Sequence, residues 1–100
     1  MFKLNDRKIA RKLDIHGAFV RRTDLSGTSL RDANLSGAVS TNAIFRGADF
    51  AGANLSGTIL RGADMSEAQN LSVEQLLLAI IDDRTVLPDY IDRTRLKLTR

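Results

Sequence analysis

One hundred residues give room for one compact domain, and 43% apolar residues are enough to form its core. The absence of cysteine excludes disulfides, thiolate nucleophiles and Cys-ligated metals, and a single histidine, His16, excludes His-cluster metal sites and disfavours a Ser-His-acid triad. The net charge of +3 is concentrated at the N-terminal end, and no apolar run approaches the length of about twenty residues that a membrane span needs.

Residues 1–12 carry Lys3, Arg7, Lys8, Arg11 and Lys12 against Asp6. No apolar stretch follows, so no signal peptide is visible and a cytoplasmic location is expected. Ile9, Ala10 and the adjoining Leu13 offer a short apolar face, which predicts a basic N-terminal cap. Nucleic-acid binding through this segment lacks interleaved aromatics, and a solvated cap is preferred.

Residues 13–67 repeat every five residues, in eleven blocks. The block centres run Ile15, Val20, Leu25, Leu30, Leu35, Ser40, Phe45, Phe50, Leu55, Leu60 and Met65, so only Ser40 is polar. Two residues before each centre the side chain is small, from Ala18 to Ala63, with Leu13 the exception at the entry. All seven glycines fall two residues after a centre. A period of five fits neither a helix nor a flat strand, and each interior glycine costs a helix about 1 kcal/mol relative to alanine. A chain that turns a corner at every block satisfies the pattern, with centres and small residues inside.

The stretches ADFAGANLSG (48–57) and DANLSGA (32–38) resemble the A(D/N)LXX repeats of the pentapeptide-repeat family, found in bacterial proteins. The resemblance implies an all-β fold, a right-handed quadrilateral β-helix solenoid with four blocks per coil, here about 2.75 coils. Residues twenty apart then stack on one wall. Val39, Ile44 and Ile59 depart from the family pattern, which has Asp or Asn at their phase.

Residues 68–91 are expected to form a C-terminal capping helix and a following segment. Ser72 and Gln75 read as a capping box. Val73, Leu76, Leu77, Ile80 and Ile81 form one helical face, ended by Asp82, Asp83 and Pro88. Residues 92–100 read as a basic, flexible tail.

Neither catalytic residues nor cofactor or metal ligands are assigned. His16 occupies an outward phase with Asp14 nearby but no implied pocket. Ser40 has no base, and its hydroxyl is expected to bond a wall carbonyl, because an unpaired one costs about 1–3 kcal/mol. The Asp and Asn column lacks a calcium loop, and the glycines lack the setting of a phosphate loop. A non-enzymatic protein-binding or scaffold module is therefore the leading expectation. The alternative, which the resemblance supplies, is a DNA mimic that inhibits a topoisomerase such as DNA gyrase. The candidate interaction patch is Phe19, Val39 and Ile59, twenty apart, with Ile44 around the next corner. Either a homodimer or another partner occupies it, or Val86, Leu87, Tyr90 or Ile91 of the same chain covers it.

Overall fold

The computed structural model describes residues 12–96. The predicted N-terminal cap therefore lies, apart from Lys12, outside the described residues, as do residues 97–100. Parallel β-bridges join residues twenty apart on every wall, among them Asp14 to Asn34, Phe19 to Val39, Asp24 to Ile44 and Ser29 to Asp49. Each wall is too short for an extended strand, so the sheet-like pairing consists of isolated bridges. The ladder is regular: Ile15 N–H donates to Asn34 O at 2.9 Å, and Asn34 N–H donates to Leu13 O at 2.8 Å.

The corners explain the five-residue period. The residue two after each centre has a positive φ, from Gly17 at 68° to Glu67 at 61°, and the next N–H closes a turn onto the centre's carbonyl. That is the φ signature of a type II turn, which glycine meets without a steric penalty. Between corners the chain alternates. Small residue and centre point inward, and the residue between them points outward.

Inside, Leu30, Leu35, Phe45, Phe50, Leu55, Leu60 and Met65 are almost wholly buried. Each such side chain stabilises the fold by about 1.5–3 kcal/mol. The Phe45 and Phe50 rings meet edge-on, with centroids 5.5 Å apart. In the first coil, by contrast, Leu13, Ile15 and Val20 are only half-buried. Among the described residues, no coil lies above them.

One helix, α1 (Val73–Leu78), interrupts the last circuit. Its capping box forms as expected: the Gln75 N–H donates to Ser72 Oγ at 3.1 Å, and the Ser72 N–H donates to Gln75 Oε1 at 2.9 Å. The helix is shorter than its apolar pattern suggests. Ala79 adopts extended backbone, and Ile80 joins the ladder beneath Ile59 instead of continuing the helical face. Leu77, assigned to that face, is 53% exposed. Beyond α1 the chain re-enters the stack, and Val86 pairs with Asp64. Residues 92–96, expected within a flexible tail, pack against the body instead. Arg93 donates to Thr85 O at 2.7 Å and Asp82 O at 3.0 Å, a 3₁₀ helix spans Arg93–Arg95, and Leu96 is buried.

Candidate binding surface

Each wall offers one outward column flanked by two corners. Three of the four columns contain Asp or Asn, for a local reason. Asp24 Oδ1 accepts the Ser26 N–H at 3.0 Å and the Ser26 hydroxyl at 2.6 Å, and Asp64 does the same for Ser66. Asn34 and Asn54 accept the N–H groups of Ser36 and Ser56. These Asx turns satisfy a corner N–H that the ladder leaves free. The Ser26 hydroxyl and N–H hold Asp24 below the usual carboxylate range. Burial pushes Asp49 up, but hydrogen bonds from Asn70, the Ala51 N–H and Arg31 outweigh it and the net direction is down. The column residues therefore serve the turns.

The candidate patch sits where this device is missing. Phe19, Val39 and Ile59 form one continuous ladder, which extends to Ile80, a member the sequence pattern assigned to the helix. Phe19 is 80% exposed, and the other three are half-buried by their neighbours in the stack. Ile44 belongs to the next wall, in the ladder Asp24–Ile44–Asp64–Val86. The chain segments considered as covers for the patch are committed elsewhere. Val86 extends the Ile44 ladder, the Tyr90 hydroxyl donates to Ala68 O and accepts the Leu71 N–H, and Ile91 and Leu87 pack on the core.

The two corners beside the patch differ. On one side stand Gly17, Gly37 and Gly57, where an added Cβ would meet at most backbone atoms 3.8–4.0 Å away. Below them Leu78, 61% exposed, accepts the Gly57 N–H on its carbonyl. The opposite corner carries Arg21, Arg22 and Arg61. Arg31, Arg46 and Arg84 each have a carboxylate within 4.0 Å. Arg21, Arg22 and Arg61 have none among the described residues; of the two carboxylates at the foot of their corner, Asp82 accepts the N–H groups of Gly62, Arg84 and Thr85, and Asp83 forms no ion pair among the described residues.

No arrangement for catalysis emerges among the described residues. His16 Nδ1 lies 2.6 Å from Asp14 Oδ1, but both are well exposed, and the Ser36 hydroxyl is spent on Asn34. Ser40 Oγ does not bond a wall carbonyl as expected. It is buried without a hydrogen-bond partner, whereas the Thr58 and Thr85 hydroxyls donate to Leu35 O and Leu60 O. A shallow depression of about 340 Å³ between Ser66 and Tyr90 is lined by Glu67 and Asp89, but the Ser66 hydroxyl donates to Asp64, whose Oδ1 also holds the Ser66 N–H in a turn. No metal-binding cluster occurs among the described residues, and none of their helices is long and apolar enough to cross a membrane.

A family model described as pentapeptide repeats matches residues 11–47 and 41–69, with eight copies. The chain is also similar to a solved pentapeptide repeat protein, alr5209 from Nostoc Pcc 7120. The two are 26% identical over 92% of this chain and 88% of that one, with a TM-score of 0.34. No curated protein matches the chain.

Proposed function

This chain belongs to the pentapeptide-repeat family, and we propose that it is a non-enzymatic protein-binding module of the cytoplasm that meets its partner through a wall. The observation that carries this reading is the Phe19–Val39–Ile59–Ile80 ladder, left uncovered by Val86, Leu87, Tyr90 and Ile91 and topped by a largely exposed phenylalanine. A contiguous apolar patch on a surface whose other columns are polar or mixed is the usual mark of an interface. Replacing Val39 and Ile59 by Asp is expected to abolish retention of a protein partner in a pull-down while a cooperative melt persists. Turnover of a hydrolase or transferase substrate that disappears with a surface mutation would overturn the reading.

Gyrase inhibition by DNA mimicry has less support. Mimicry needs a run of uncompensated negative charge. Here Ile44 and Val86 interrupt the Asp24–Asp64 ladder, and Arg31 and Arg46 neutralise Asp49 and Asp64. Supercoiling assays at low micromolar protein are expected to show no inhibition.

A further inference from the structure

Resting on that reading, we infer that the Phe19–Ile80 wall receives an acidic amphipathic helix of a partner protein, laid along the solenoid axis. Its apolar side meets the ladder, and its carboxylates meet Arg21, Arg22 and Arg61.

Spacing selects a helix. Ladder neighbours stand about 4.8 Å apart, so the three steps from Phe19 to Ile80 span about 14 Å. Three turns of α-helix rise about 16 Å, so side chains at i, i+3 or i+4, and i+7 meet successive ladder residues. An extended strand repeats a face only every 6.6 Å or so and loses register after one step. The glycine corner presents no side chain at Gly17, Gly37 or Gly57 that would obstruct a helix lying along the face, and the exposed Leu78 stands at its foot.

Charge selects the partner's flank. Three arginines on one corner, unpaired among the described residues, contrast with Arg31 and Arg46 of the other corners, which are paired. A partner carboxylate completes them, and complementarity of this kind fixes orientation as well as speeding encounter. A second copy of the chain is a poorer occupant, because it brings the same unpaired arginines with it. Nucleic acid would satisfy the arginines but would set a polar backbone against an apolar ladder.

The test is fluorescence anisotropy on the full chain, using a labelled peptide of about 18 residues with leucines on one helical face and glutamates flanking them. Saturable binding is expected. Val39→Asp with Ile59→Asp should weaken it at least about tenfold, and Arg21→Glu with Arg61→Glu at least about threefold, with a matching loss in high salt. If the aspartate pair does not fold, Val39→Thr with Ile59→Thr keeps the β-branched shape and should still weaken binding. Equal binding of a lysine-flanked peptide, or indifference to the arginine changes, overturns the inference. Displacement of the peptide by a DNA duplex hands the face to nucleic acid, and a dimer dissociated by the Val39 and Ile59 changes hands it to a second copy. Either result overturns it. If the peptide fails while a protein partner is still lost with the Val39 and Ile59 changes, the helix inference falls and the protein-binding reading stands. If those changes leave partner retention intact, both fall.

Discussion

At the scale of single residues, a wall tolerates what its neighbours leave room for. Ser40 shares its circuit with Phe45 and Phe50, and a small centre offsets the volume of two rings. The hydroxyl itself has no partner. Ser40→Ala should therefore raise stability by about 1 kcal/mol, a shift of several degrees in melting temperature; a lower melting temperature would mean that the hydroxyl is bonded after all. The corners give a second contrast. Gly17 and Gly52 share nearly the same φ, 68° and 71°, but a Cβ at Gly17 meets nothing, whereas at Gly52 it falls 2.1 Å from Asp32 Oδ1. Gly17→Ala should cost about 1–2 kcal/mol from backbone strain alone. Gly52→Ala should cost about the same, because the exposed Asp32 carboxylate, which has no hydrogen-bond partner among the described residues, can rotate away from the new Cβ. A much larger loss for Gly52→Ala in chemical denaturation, restored by Asp32→Ala, would show that the carboxylate is held in place.

At the scale of the element, α1 is held by one side chain. Gln75 closes the capping box and also donates from Nε2 to Phe50 O at 2.8 Å and Ala53 O at 3.0 Å. Gln75→Glu keeps the acceptor and loses both donors, turning a carboxylate onto two carbonyls. It should destabilise the chain at pH 7 by about 2 kcal/mol or more, beyond the effect of Gln75→Ala; thermal melts that rank alanine as the worse change would contradict this. The capping box was legible in the sequence because its spacing is local. The docking of Gln75 onto a coil more than twenty residues away was not. The same distinction runs through the fold. Columns, corners and the Phe19–Val39–Ile59 stripe follow from a fixed period, so counting finds them. The end of α1 and the inclusion of Ile80 depend on competition between a helical face and a vacant ladder position, which no local pattern records. The arginine corner was visible as residues, but its lack of partners became visible only once Arg31 and Arg46 were seen to be paired.

At the scale of the whole molecule, the Asx turns make stability depend on acid. The hydrogen bonds at Asp24, Asp49, Asp64 and Asp82 hold these carboxylates below their ordinary value of 3.8. The unfolded chain then binds protons first as the pH falls, so acid favours unfolding. Their contribution is complete above about pH 5 and is lost progressively below 3.8, through the lower folded values. Melting temperatures should be flat from pH 7 to 5 and fall beneath pH 4. Asp82→Asn should be less stable at neutral pH by about 1 kcal/mol and show a shallower acid decline; an unchanged decline would remove Asp82 from this account.

The bridge separations carry a further consequence. They are twenty around most of the stack, then twenty-one from Ile59 to Ile80 and twenty-two from Asp64 to Val86. The molecule behaves as a counter with a fixed modulus. Adding a full circuit lengthens every column by one step and leaves each face as it was. Adding a single block rotates everything beyond it by a quarter turn, so that Val39 would stand beneath a residue of a different wall and the apolar face would be cut in two. Odd increments are absorbed in the last circuit, one residue at the bulge of α1, where the chain leaves the stack and returns, and one at the corner between Ile80 and Val86. Lineages that gain or lose repeats can therefore preserve a binding face only in whole circuits, or by taking up the remainder in that last circuit.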